Sequence, residues 1–359
     1  MVLKLGNNSV LPFIQLFVLL IMFNAPCYSQ DQSFSQFSVN NLYFNPAYVG
    51  SNEEVDILVH YRRYLTRIPS KFESMYASID YPFNKGKTFG LGGMGLIVFQ
   101  DTEGDGYLKK SSIGIPFSVQ VSDDYNLLQF GIMPSIALTS INWDNFIFGN
   151  QINPYSGYDP SIAPPPTIDS AVNLPAFPDF SFGTFYKHTD NPDNPSLVSK
   201  VLEAGIAFHH WPLQINQSFT NGYAPLPLKI VGIVKYTFPV DNFRNKSILI
   251  QPSVILEIQG PMNTAMISTK IFNESLLFGF GFRKEQSETI TFNNFTFECG
   301  YSLVSPNDEM KRSWIILCID VPVKSQYAIV NTSYEISLNF KLPDNVFKRS
   351  GDCGLNFGR

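Results

Sequence analysis

Charge is scarce in this chain. Charged residues fill 15% of its 359 positions, where a soluble domain carries about 25%. Beyond Asp31 no apolar run approaches the ~20 residues that a membrane helix requires. A helical membrane protein is therefore excluded. Basic blocks are missing too: once Lys4 leaves with the leader described below, 24 basic side chains face 30 acidic ones, a net charge of −6. Nucleic acid finds no electrostatic footprint here.

Recognisable chemistry is equally sparse. There is no GxSxG elbow, Walker loop or GxGxxG, and no serine and histidine share a strand face with an orienting third group. No catalytic residue and no cofactor is expected. The segment "DTEGDGY" places Asp101, Glu103, Asp105 and Gly106 like the first half of a calcium loop, but its twelfth position is Ser112 where a bidentate glutamate is needed. A solvated hairpin is the preferred reading. His209 and His210 are adjacent, and alternation along a strand would aim them at opposite faces. They are read as strand-end histidines at a membrane interface, so no metal site is expected.

What the chain has is aromatic residues, at 14%, and periodicity. In "SYEISLNFKL", Tyr334, Ile336, Leu338, Phe340 and Leu342 alternate strictly with Ser333, Glu335, Ser337, Asn339 and Lys341. One face suits lipid and the other water. "SILIQPSVILEIQ" repeats the pattern at 247–259, with Pro252 as a flaw that costs a ladder hydrogen bond or marks a bulge.

Twelve similar segments lie near 55–64, 72–83, 88–100, 110–121, 126–139, 178–188, 200–210, 228–238, 263–272, 275–284, 288–302 and 312–322. With the two above they make fourteen candidate strands, an even number of about ten residues each, as in bacterial outer-membrane barrels. The predicted fold is all-β, a transmembrane antiparallel β-barrel. A soluble β-sandwich would alternate as well. Low charge and aromatics near strand ends (Tyr61, Tyr76, Tyr236, Phe238, Tyr334) favour a lipid-facing wall with aromatic girdles.

The N-terminus has the build of a secretory leader. Lys4 precedes an apolar core from Leu11 to Phe23, and Cys27-Tyr28-Ser29 ends in a small residue suited to cleavage. A lipoprotein leader acylated at Cys27 is the alternative. The expected organisation is a signal peptide over 1–29, a pre-strand segment over 30–54, the barrel over 55–342 and a tail over 343–359. A Pro-rich connection at 141–178 is too long for a hairpin turn and is expected over one barrel mouth or inside the lumen. Cys299, Cys318 and Cys353 show no zinc spacing. Cys299 and Cys318 fall in neighbouring strands, as a bridge or as small apolar side chains of the wall. Gly90, Gly92, Gly93 and Gly95 in "FGLGGMGLIVF" suggest close packing and curvature.

"QDQSFSQFSVNNLYFNPAYVGS", "GLGGMGLIVFQD", "PDFSFGTFY", "AGIAFHHWPLQINQSF" and the closing "SYEISLNFKL" together resemble the PorP/SprF membrane proteins of the type IX secretion system of Bacteroidetes. The resemblance covers nearly the whole mature chain. It departs from the family at "LCID" and in the tail after the last strand. It implies an outer-membrane barrel serving export or surface attachment of cargo such as adhesins, with outer-membrane lipid, secretion components and cargo as partners and no catalytic residues. A porin or small-solute transporter is the competing function, suggested by the inward Glu257, Glu335 and Lys341. In the opening stretch Pro46 fixes a turn and Gly50 permits a reversal. Phe37, Tyr43 and Tyr48, with Asn45, Pro46 and Gly50 shaping the turn, are the candidates for closing the periplasmic mouth or lumen, or for docking a partner. A structural cap on the first strand is the plainer reading.

Overall fold

The computed structural model describes residues 31–342 except 53, 67–69, 84–87, 105–107, 143–145, 163–173, 191–198, 212–224, 242–246, 274, 288–290, 305–311 and 324–329. The expected leader at 1–29, with Cys27, and the tail at 343–359, with Cys353, lie outside the described residues.

Alternating side chains become alternating faces of one closed sheet. Its strands are β1 (Val55–Thr66), β2 (Lys71–Pro82), β3 (Phe89–Gly104), β4 (Leu108–Gly114 and Phe117–Ser122), β5 (Asn126–Ser140), β6 (Phe177–Thr189) and β7 (Val201–His209). There follow β8 (Lys229–Asp241), β9 (Ser247–Gln259), β10 (Met262–Asn273), β11 (Leu276–Gln286), β12 (Thr291–Val304), β13 (Arg312–Pro322) and β14 (Val330–Leu342). Each pairs antiparallel with its sequence neighbour, and β1 pairs with β14 to close the ring, from Val55 opposite Leu342 to Thr66 opposite Val330. Closure matters because an unpaired backbone group costs several kcal/mol in hydrocarbon.

Two of the local breaks fall at prolines. Ile115-Pro116 splits β4 into two pieces, and the Pro116 carbonyl still accepts a 2.9 Å hydrogen bond from the Gly95 amide. At Pro252 the β9–β10 register runs on unbroken, while the β8–β9 register skips from Lys235–Ser253 to Phe238–Ile250. The missing proline donor is felt on the β8 side.

The burial pattern is inverted relative to a water-soluble domain. Phe130, Phe280, Phe297, Leu317 and Ile319 face outward and are exposed, while Gln129, Lys270, Arg283, Thr296, Asp320 and Glu335 are buried on the inner face. That overturns the soluble sandwich, whose polar side would face out. The wall is an apolar band around a polar interior, as in outer-membrane barrels.

The barrel has two distinct mouths. At one, β1 begins and β14 ends, beside connections such as 123–125; at the other lie the 141–176 and 210–228 connections. They are called here the chain-end mouth and the long-loop mouth. Within 141–176 the residues from Gly149 to Ile162 form a short turn and a small hairpin, with Tyr155 fully exposed.

Candidate functional site: a lumen filled by the N-terminal segment

Residues 31–50 run through the barrel from the long-loop mouth to the chain-end mouth. Their local shape follows from their composition. Asn41–Phe44 make one helical turn, and Asn45 is extended, with φ −155°. Its side chain accepts a 2.9 Å hydrogen bond from the Ala47 amide and so caps the 3-10 turn Pro46–Tyr48. Asparagine at the cap and proline at the first turn position are the residues this geometry favours. Gly50 then takes φ +74°, a left-handed conformation in which a side chain would be strained.

Strand glycines make room for that turn. A Cβ on Gly131 would fall 2.5 Å from the Ala47 main chain, one on Gly183 would fall 2.0 Å from Asn45 Oδ1, and one on Gly205 would fall 2.7 Å from Asn45 Nδ2. On β3 a register shift between Leu91 and Gly93 brings Gly93 against Gly50, where a Cβ would meet Gly50 Cα at 2.5 Å. Of the β3 glycines, Gly93 makes room for this turn, whereas a Cβ on Gly92 would meet the Ser118 and Gln129 side chains and one on Gly95 the Ile79 carbonyl. Asn45 Nδ2 donates to the Thr184 carbonyl at 2.9 Å and reaches the Ile206 carbonyl at 3.4 Å, tying the turn to β6 and β7. Gly50 N donates to Asp80 at 2.7 Å, and Ser118 Oγ donates to the Val49 carbonyl at 2.6 Å.

The segment's apolar side chains complete a core inside the barrel. Phe34, Phe37, Leu42, Phe44, Tyr48 and Val49 are buried against Leu58, Tyr76, Ile97, Phe185, Val231, Ile233 and Ile255 of the wall. Tyr48 lies 4.1 Å from Phe185 between ring centroids, and the Lys235 ammonium sits 4.8 Å above the Tyr48 ring. Half-buried Tyr43 packs edge-on to Phe34 and Tyr76 at 4.9 and 5.7 Å. Tyr76 was expected in an outer aromatic girdle. Met75 takes the outward position on β2 instead, so parity places Tyr76 inside.

On the opposite side the wall grips the segment's main chain. Glu335 accepts the Ser35 amide at 2.8 Å with one oxygen and the Gln36 amide at 3.0 Å with the other. Arg62 and Arg283 both donate to the Ser33 carbonyl. Ser35 Oγ accepts from Arg283 at 2.9 Å and donates to Asp320 at 2.6 Å. The charges of this clamp also pair with one another: Arg62 contacts Glu335 at 3.2 Å and Asp320 at 3.1 Å. Elsewhere in the wall Lys229–Glu257, Lys235–Glu203 and Lys270–Glu298 pair at 2.8, 3.0 and 2.6 Å. Residues 32–52 contribute no ionisable acid or base of their own apart from the phenols of Tyr43 and Tyr48.

The segment's one charge, Asp31, is held at the long-loop mouth. His210 bridges Asp31 and Asp179, the latter at 2.9 Å, and Gln259 accepts from the Asp31 amide at 2.9 Å. The expectation that His209 and His210 face opposite ways is corrected here. Strand β7 ends at His209, and His210 has φ +63°, which turns its ring back toward the interior. His209 meets Ser181 at 2.9 Å and the Phe44 carbonyl at 3.0 Å. Burial opposes a charged imidazole at His210, but the Asp31 and Asp179 carboxylates outweigh it and hold its pKa up at about 9. Burial likewise disfavours the Asp31 carboxylate, and His210 reverses this, lowering it well below the usual range.

Beside this latch a cavity of about 580 Å³ is lined by Asp31, Ser33, Tyr64, Glu257, Arg283 and Asp320, among others. It adjoins the main-chain clamp. Of the other candidates, Asp101 is buried on β3 and accepts from Ser74 at 2.6 Å; Asp105 and Gly106 lie outside the described residues. Among the described residues no group of three or more His, Cys, Asp or Glu side chains is placed to hold a metal. Cys299 is exposed on the outer face and Cys318 is buried on the inner one, both free, so the bridge between them is excluded.

A family model described as "Type IX secretion system membrane protein PorP/SprF" matches residues 27–317. No curated protein sequence matches the chain. Among solved structures it is similar to the CymD monoaromatic hydrocarbon channel, at 10% identity and TM-score 0.46 over 84% of this chain and 92% of that one. It is also similar to the toluene transporter TodX of Pseudomonas putida, at 12% identity and TM-score 0.40 over 88% and 94%. A Pseudomonas aeruginosa FadL homologue matches at 11% identity and TM-score 0.38 over 82% and 92%.

The glycine contacts generate a paired test. Gly131→Ala forces its new Cβ into the Ala47 main chain, an overpacking worth about 1–3 kcal/mol, and is expected to speed proteolysis within 31–50 while the barrel stays folded. Gly232→Ala, with nothing within 4 Å, is the control and should behave as wild type. Equal cleavage rates in the two variants would contradict the packing.

The latch generates a pH dependence. Its imidazole pKa is raised, so its contribution is complete below the ordinary value of about 6.5 and is lost as pH rises through about 9. A spin label on Gln32→Cys should therefore gain a mobile spectral component above about pH 9. A spectrum unchanged to about pH 10 speaks against the ion pair.

Proposed function

The chain belongs to the PorP/SprF family of type IX secretion system membrane proteins, and from that premise we propose that it is a non-enzymatic outer-membrane component supporting export or surface attachment of secreted cargo such as adhesins. The observation that carries this reading is the occupied lumen. A barrel whose interior is taken up by its own N-terminal segment is suited to docking and gating more than to free diffusion of solutes. In this reading the chain reaches the outer membrane behind a cleaved leader, and its partners are membrane lipid, other secretion components and the cargo.

Asn45, Pro46, Tyr48 and Gly50 shape the turn that sets the segment in place, while Phe37 and Tyr43 supply bulk to the lumen. They support closure of the barrel as the resting state, with partner docking acting on it. A solute transporter is the second reading. It is favoured by the cavity of about 580 Å³, which is within the range of about 300–1,000 Å³ typical of small-molecule sites.

Deleting the gene should trap one or a few surface proteins inside the cell. Replacing Asn45 and Tyr48 together by alanine should impair the same export with the barrel still inserted. Normal surface display of every cargo in the deletion strain would sink the secretion role.

A further inference from the structure

We propose that the clamp of Arg62, Arg283, Asp320 and Glu335 is a peptide-binding site for an uncharged polypeptide segment that bends as residues 33–36 do. Residues 33–36 of the chain itself occupy it at rest, and an incoming segment of the same chemistry takes it by exchange from the long-loop mouth. The proposal rests on the secretion reading only for the source of that incoming segment.

Three features of the lumen lead to it. First, recognition runs mainly through the peptide backbone. Glu335 takes two successive amides, at 2.8 and 3.0 Å, and both arginines reach the Ser33 carbonyl. The side chains add three contacts: the Ser35 hydroxyl fits between Arg283 and Asp320, Gln36 meets Ser337, and the buried Phe34 ring packs edge-on to His60 at 4.6 Å and Tyr43 at 4.9 Å. A segment of serine, glutamine or asparagine around one aromatic residue satisfies the same contacts.

Second, the present occupant can leave without stranding a charge. Asp320 and Glu335 keep Arg62 as partner, and Arg283 keeps Glu285. Residues 32–36 are neutral, so the one ionic hold on the arm, residues 31–36, is Asp31 at His210. The far end stays fixed, because the turn at 45–50 is seated among strand glycines and is continuous with β1. Exchange therefore concerns the arm alone. Third, there is room for an incomer before the arm departs. The cavity of about 580 Å³ reaches the clamp at Ser33, Arg283 and Asp320 and reaches the latch at Asp31.

The test uses the full-length protein in lipid nanodiscs and an uncharged fluorescent synthetic peptide of residues 32–44. The tethered arm competes at about millimolar effective concentration, so the latch variant Asp31→Asn, whose own arm is weakened, is compared with wild type. Anisotropy should show saturable binding to Asp31→Asn, roughly tenfold or more tighter than to wild type. The same peptide N-methylated at Ser35 and Gln36 loses both donors to Glu335 and should bind the variant at least about tenfold more weakly. Because that change is made in the peptide, barrel folding is untouched. Absence of saturable binding to either chain, or equal binding of the methylated peptide, overturns the proposal. Binding as expected alongside normal export in the deletion strain would uphold the clamp and overturn the secretion reading.

Discussion

A fourteen-stranded barrel encloses more space than its own inward side chains can fill. Eight strands give an interior that side chains alone can pack, and the bore grows roughly linearly with strand number. Closure is compulsory, since every backbone amide and carbonyl of the wall must be paired within the hydrocarbon. The interior must then hold water or polypeptide. In this protein residues 31–50 lie in it, and much of the internal architecture follows from that occupancy.

The wall is divided to receive the segment. From β1 to β9 it offers apolar side chains and strand glycines, against which Phe34, Phe37, Phe44 and Tyr48 pack and the Asn-Pro-Ala-Tyr turn closes to main-chain contact. From β11 to β14, joined by Arg62 of β1, it offers paired charges that grip amides and carbonyls. Residues 33–36 are thus gripped through their main chain by paired charges, and residues 42–50 by shape together with main-chain hydrogen bonds to Asp80, Ser118 and His209. A chain nearly devoid of charge can lie among buried ions because the ions already have one another. The exception is Asp31, and it sits where His210 and Asp179 can answer it.

Strand number and facing were legible in the sequence because lipid and lumen impose a strict period of two, and the fourteen segments correspond to the fourteen strands. Proximity to a strand end is a weaker guide than parity: it points Tyr76 outward, although its neighbour Met75 holds the outward position. Alternation holds only for an extended backbone, and the left-handed φ of His210 ends it one residue past β7. The β3 glycines signalled close approach without naming Gly50 as the partner. The clamp was hidden for a different reason. Ser35 and Glu335 are 300 residues apart and meet only when β14 closes on β1, so no local pattern carries their contact.

The central claim is that the chain seals its own lumen. Single-channel recording of the full-length protein in planar bilayers tests it most directly. The account predicts inserted protein with no steady ionic current at neutral pH, where the Asp31–His210 latch is charged on both sides. A stable ohmic conductance from the wild-type chain would contradict it.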